Sequence, residues 1–339
     1  MLDILEKLVS FNTIKDKENQ LINDYLEAYL KTLGFQTKRI GKCLIAQNDN
    51  QPNIGFIGHT DTVNYVSWDG NPFELKKQED KLFGLGVCDM KGGIAAILSA
   101  LQKIDLSKNK LALYFTNDEE INFKGIRKIS KLPLPKIIII GEPTDNILVY
   151  GTKGLLELKI IFKGKSAHAS TPEQGINAIY MAIRFIEQLT DYYENIKKDT
   201  CNTFEIPYTS MNIGLIKGGE AINSVPQQCQ LTIDFRVINA EHLSKITNDI
   251  KEMLNSYDAN LVIKNSLEPK IAHQNWSFLG INTKTANYIT EGSFIDSETI
   301  ILGPGPITAH QKNEYITIES LVKTEELYIK IIKKYNEEG

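Results

Sequence analysis

Three short apolar runs, at residues 53–58, 110–116 and 136–141, constrain this chain most. Each is shorter than a helix needs, rich in apolar residues and bounded by turn residues, the pattern of a strand buried on both faces. Helical stretches alternate with them. Leu21, Ile22, Tyr25, Leu26, Tyr29, Leu30 and Leu33 recur at helical spacing until Gly34 stops them, and Ile94, Ile97, Leu98 and Leu101 share one face of 92–102. This alternation predicts an α/β layer fold around a largely parallel sheet. Ligands of such sheets lie beyond the carboxyl ends of the strands, so the residue that follows each run carries the most information.

Those residues are acids and imidazoles. The first run ends at His59-Thr60-Asp61, the second at Asn117-Asp118-Glu119-Glu120 and the third at Glu142. Asp89 stands in the segment 86–93 ahead of a helix, and His310 follows the turn-rich 303–306. Singly, each has an ordinary reading: a hydrogen-bonded histidine, a solvated acidic loop, an acid that opens a turn before proline. Their coincidence at strand ends makes a site. Histidines with carboxylates and no Cys-x-x-Cys pair suit zinc or another borderline divalent ion. The donors exceed what one tetrahedral ion needs, which points to two ions sharing a carboxylate. Asp61, two residues after His59, is placed to receive the second ring N–H of that histidine. The sequence holds no His-Glu-x-x-His, Gly-x-Ser-x-Gly or phosphate-loop motif.

From about residue 154 the pattern changes. A strand at 155–162 is followed by a helix at 173–189 carrying Ile176, Ile179, Ile183 and Ile186, and by a strand at 211–216. Cys229, Leu231, Ile233, Phe235 and Val237 then alternate as in a half-exposed strand, before a helix at 241–254 and a strand at 260–264. The order β-α-β-β-α-β is the split, ferredoxin-like unit. It predicts an inserted α+β domain at 154–265, with 1–153 and 266–339 forming the α/β domain around it. The strand 299–302 and the helix 319–334 rejoin the first domain.

The balance of 38 basic against 42 acidic side chains gives a net charge of −4 with no basic stripe, so no nucleic-acid partner is expected. The first residues read as an amphipathic helix and not as a secretory signal. The run 137–140 is far too short to span a bilayer, so no membrane partner is expected either. Four scattered cysteines fit a reducing, cytoplasmic setting.

With these residues assembled, the chain resembles the di-zinc aminoacylase and carboxypeptidase family. The likeness rests on Gly58-His59-Thr60-Asp61-Thr62-Val63, Gly86-Val87-Cys88-Asp89-Met90-Lys91-Gly92-Gly93, Asp118-Glu119-Glu120, Gly141-Glu142-Pro143-Thr144, Gly164-Lys165-Ser166-Ala167-His168 and Ala309-His310, in that order. It implies a zinc-peptidase-like catalytic domain with an inserted lid and dimerisation domain. Asp89 would bridge two ions, zinc or cobalt, with His59 and Glu142 completing one site and Glu120 and His310 the other. Glu119 would be the general base, Asp61 the outer partner of His59, and the peptide after Asp89 a non-proline cis bond.

The same resemblance implies a homodimer in which His168 acts on the neighbouring subunit's site. Arg236 and Asn223 would hold a small N-acyl amino acid. Cys88-Asp89-Met90-Lys91-Gly92, residues 287–295 and Leu302-Gly303-Pro304-Gly305 look like the acetylornithine deacetylase branch. Desuccinylases of succinyl-diaminopimelate, acetyl-lysine deacylases, and dipeptidases or carboxypeptidases share the chemistry. A metal-free binding protein on the same fold is the alternative of another class.

Overall fold

The computed structural model describes every residue except Asp16, Val66, Glu338 and Gly339. Two compact units emerge. One comprises Met1–Gly151, Ile271–Lys284 and Phe294–Gly339, the other Thr152–Lys270 and Thr285–Ser293. The short segment Thr285–Ser293, expected in the catalytic domain, therefore packs with the inserted one. Hydrogen bonds explain the difference: Lys153 N–H donates to the Ala286 carbonyl at 3.1 Å, and the Thr285 hydroxyl to the Thr203 carbonyl at 2.7 Å.

In the first unit the strands Gln36–Ile40, Cys43–Gln47, Leu111–Thr116, Ile54–His59, Ile137–Ile140, Glu298–Ile301 and Leu148–Thr152 lie side by side in that order. The central four run parallel, so their carboxyl ends share one edge. Every residue of Ile54–His59, Leu111–Thr116 and Ile137–Ile140 is buried, as parallel strands covered on both faces must be. The helix Gly92–Leu101 is buried on all sides, which its apolar sequence requires. It enters close against the sheet because Gly93 has no Cβ: one built there would stand 2.1 Å from the Gly141 carbonyl oxygen. Glu325 of the helix Ile318–Glu337 is buried and fastens that helix to Gly92–Leu101, bonding Ser99 and pairing with Lys103 at 2.6 Å. Tyr328 donates to the Leu302 carbonyl at 2.6 Å and so fixes the strand end that leads toward His310.

The second unit is ferredoxin-like. Its strands are ordered Ser210–Gly218, Gln228–Val237, Gly154–Lys163, Ala259–Leu267, with every neighbouring pair antiparallel. Cys229, Leu231, Ile233, Phe235 and Val237 form the buried stripe that their alternation predicts, and join one core with the helices Ala178–Ile196 and Ala240–Leu254.

The first of these helices departs from expectation. It starts at Ala178, capped by the Asn177 side chain, which accepts the N–H groups of Ile179 and Tyr180. Its buried face is Ala178, Ala182, Phe185, Leu189 and Ile196, whereas Ile176 and Ile183 are exposed. Ile179 and Ile186 are partly buried against the same core, so two of the four expected isoleucines reach it beside Phe185.

Candidate metal centre

The carboxyl edge of the parallel sheet gathers seven side chains, those of His59, Asp61, Asp89, Glu119, Glu120, Glu142 and His310. His59 ends its strand, Glu119 and Glu120 follow Leu111–Thr116, and Glu142 follows Ile137–Ile140. Asp89 sits in the irregular turn Val87–Lys91, at φ −124° and ψ 94°. The peptide Asp89–Met90 is cis. His310 lies eight residues beyond Leu302, and both His310 (φ 62°) and Asp118 (φ 60°) take the left-handed backbone region, which non-glycine residues favour little and functional sites often hold.

His59, fully buried, places Nε2 2.8 Å from Asp89 Oδ1 and 3.5 Å from Glu142 Oε1. His310 Nε2 lies 3.4 Å from Asp89 Oδ2 and 3.2 Å from Glu120 Oε2. The two oxygens of Asp89 thus face different histidines. Ligand-type atoms of His59, Asp89 and Glu120 lie within 4.8 Å of one another, as do those of His59, Glu119 and Glu142. Glu119 therefore stands among the donors.

Asp61 acts differently from expectation. The His59 Nδ1 lies 2.9 Å from the Asp61 backbone carbonyl, while the Asp61 carboxylate is 3.8 Å away. A carbonyl only accepts, so Nδ1 carries a proton, and Nε2, which faces Asp89 and Glu142, is the nitrogen left to bind a metal once it gives up its own. The Asp61 carboxylate instead accepts the backbone N–H groups of Glu119 and Glu120, each at 3.3 Å.

Electrostatics ask for cations here. Five carboxylates (Asp61, Asp89, Glu119, Glu120 and Glu142) crowd two imidazoles. Burial opposes charge on His59, yet the Glu142 and Asp89 carboxylates hold its pKa well above the usual imidazole value. Hydrogen bonds to Asp89 and Glu120 raise His310 to about 10. Burial, then repulsion from Asp89, raises Glu142. Bound divalent ions would supply the positive charge that these protons stand in for, and oxygen and imidazole donors match borderline metals. Burial pushes the thiol of the neighbouring Cys88 up to about 12.

Sequence reasoning missed Glu314. Only 2% exposed, it accepts the N–H groups of Gly86 at 3.0 Å, Cys88 at 2.7 Å and Asp89 at 3.0 Å. Its sole sequence signal was its place four residues after His310.

The remaining predicted residues lie in the second unit. His168 is exposed; its Nδ1 accepts the Ser170 N–H at 3.2 Å and pairs with the Ser170 hydroxyl at 2.7 Å. Asn223 is exposed on an adjoining segment, its carbonyl accepting the Ala169 N–H at 3.0 Å. Arg236 is half-buried and makes a two-pronged bond to Asp234, Nε to Oδ1 at 2.8 Å and Nη2 to Oδ2 at 3.0 Å.

Residues 150–261 match the peptidase dimerisation domain of the M20 family. Over 94% of its length the chain is 34% identical to an acetylornithine deacetylase of Photorhabdus laumondii, of which the match covers 91%. The chain belongs to the M20 family. As a member it is an amidohydrolase, and the dimerisation-domain match falls on its ferredoxin-like unit. M20-type folds agree: a tripeptidase from Staphylococcus aureus superposes with a TM-score of 0.77 at 22% identity, covering 98% of each chain. An M20 family metallo-carboxypeptidase from Sulfolobus solfataricus gives 0.77 at 17% identity, covering 99% of each.

Proposed function

We propose that this M20 enzyme hydrolyses the amide bond of an N-acyl amino acid, N-acetylornithine to ornithine and acetate, with two divalent ions, zinc or cobalt. The observation that carries the two-ion reading is the Asp89 carboxylate, one oxygen toward His59 and the other toward His310. Asp89 would bridge the ions, His59 and Glu142 holding one and Glu120 and His310 the other. Bound there, the ions would supply Lewis acidity toward the attacking water and the amide carbonyl. Glu119 takes the proton of that water and returns it to the leaving amine. Arg236 grips the substrate carboxylate through guanidinium edges that Asp234 leaves open, and Asn223 adds a polar contact.

The substrate reading draws support from the acetylornithine deacetylase relatives and from Cys88-Asp89-Met90-Lys91-Gly92. A panel of acetylornithine, acetyl-lysine, acetylcitrulline, succinyl-diaminopimelate and dipeptides tests it, after chelation and re-addition of zinc or cobalt. Acetylornithine should show the highest kcat/KM. A clear preference for succinyl-diaminopimelate or for unblocked dipeptides overturns the substrate and leaves the chemistry standing.

A cytoplasmic homodimer completes the proposal. Free cysteines support a reducing compartment. The dimerisation-domain match and the second unit's exposed apolar side chains support the dimer: Ile176, Tyr180 and Ile183 beside or on the helix Ala178–Ile196, and Leu215 and Ile216 on the edge strand Ser210–Gly218. No helix among the described residues is long and apolar enough to cross a membrane.

A further inference from the structure

The turn that carries Asp89 has a backbone problem. The strand Lys81–Phe83 ends before it and the helix Gly92–Leu101 begins after it, so the N–H groups of Gly86, Cys88 and Asp89 find no partner in regular structure. All three point at one buried carboxylate, that of Glu314. Buried donors without an acceptor are expensive, so this carboxylate determines where the turn sits.

Glu314 also belongs to the loop of His310. It directly precedes the strand Tyr315–Thr317, which pairs with Lys81–Phe83, and its own carbonyl accepts the Gly84 N–H at 3.3 Å. Thr308 closes the loop by exchanging hydrogen bonds with Tyr315 at 2.6 and 2.9 Å, and the Thr308 N–H reaches the Cys88 sulfur at 3.4 Å. One side chain thereby joins the segment bearing Asp89 to the segment bearing His310.

We propose that Glu314 is a positioning residue of the metal centre: it sets the Asp89 carboxylate against His310 by holding the three turn N–H groups, so that metal affinity depends on a residue that touches no metal. This rests on the two-ion reading of the site. Glu314→Gln keeps the shape but exchanges one acceptor oxygen for a donor, which must then face an N–H.

The test is metal binding to chelator-stripped protein, titrated with Zn²⁺ against a chromophoric chelator and with Co²⁺ followed by its visible absorption. The unaltered chain should bind two ions; one or none refutes the two-ion reading, whatever Glu314 does. Glu314→Gln should weaken the less tightly bound ion by about 10–100-fold, the usual effect of losing an outer-shell partner, and alter the Co²⁺ spectrum. Glu325→Gln, which breaks an equally buried carboxylate contact in the same unit, should lower Tm and leave both affinities unchanged. If Glu314→Gln does not fold, Glu314→Asp, which keeps both oxygens but withdraws them, should show a smaller loss in the same direction. Wild-type affinities and spectrum in a folded Glu314 variant, or an equal loss of affinity in Glu325→Gln, overturn the proposal.

Discussion

The Asp61 carboxylate accepts the backbone N–H of Glu119 at 3.3 Å, and its second oxygen does the same for the next residue, Glu120. One aspartate therefore aims the proposed base and a proposed ligand together. Asp61→Asn offers one acceptor where two are needed, so one of these N–H groups loses its partner. Turnover should fall about 10–100-fold with KM changed little and metal retained, the effect expected of a displaced outer-shell group. Steady-state kinetics beside metal analysis decide it; an unchanged kcat removes Asp61 from the positioning of Glu119.

Glu119 and Glu120 are neighbours in sequence, and both lie within 4.8 Å of His59 donors, so mutation must separate their roles. Glu119→Gln should keep both ions yet lose about 10²-fold or more in turnover, the scale of general-base catalysis. Glu120→Gln should instead lose metal on dialysis. Equal metal loss in the two variants would show that Glu119 is a ligand and not the base.

Proton linkage gives a third expectation. In the metal-free protein, His59 and Glu142 are raised and His310 lies at about 10. These groups carry protons near neutral pH, and ligands bind metal in their deprotonated forms, so each ion must expel protons. Raising the pH from 6 to 8 removes part of that competition, and affinity should rise with it. Calorimetry in buffers of different ionisation enthalpy should register net proton release at pH 7. Affinity independent of pH over this range, with no release, would contradict the assignment of these residues as ligands.

Much of the site was legible because it follows a rule of position. His59, Glu119, Glu120 and Glu142 sit where parallel strands end, and the strands announce themselves as short apolar runs. What lay outside the sequence was the acceptor side of the backbone. Glu314 looks like any loop acid, and nothing local says that its partners are N–H groups more than two hundred residues earlier. Asp61 shows the same limit: its spacing from His59 was right, but its backbone carbonyl accepts the ring N–H and its carboxylate accepts the N–H groups of Glu119 and Glu120. In the helix Ala178–Ile196 the period was correct and the face partly so: Ile179 and Ile186 pack against the core beside Ala178, Ala182 and Phe185, whereas Ile183 is exposed and Ile176 precedes the helix. Burial, not hydrophobicity, separates Ile183 from its neighbours, and burial depends on the whole fold.

The exposed apolar side chains bear on the last expectation, that His168 acts across a dimer. The Ser170 N–H can only donate, so His168 Nδ1 accepts it and the neutral ring carries its proton on Nε2, ready to donate outward. A donor of this kind suits the oxyanion of amide hydrolysis, and losing one typically costs about 10²–10³ in turnover. His168→Ala should therefore be nearly inactive while still binding metal. Its loss alone does not say which subunit's site it serves, so the decisive measurement mixes it with the inactive Glu119→Gln protein under conditions that exchange subunits. In a heterodimer one site lacks both groups, whereas the other has Glu119 from one chain and His168 from its partner. About half the activity of the unaltered dimer should return per heterodimer if His168 works in trans. Were it to work within its own chain, each site would lack one group and no activity would return, even with subunit exchange demonstrated by mass spectrometry.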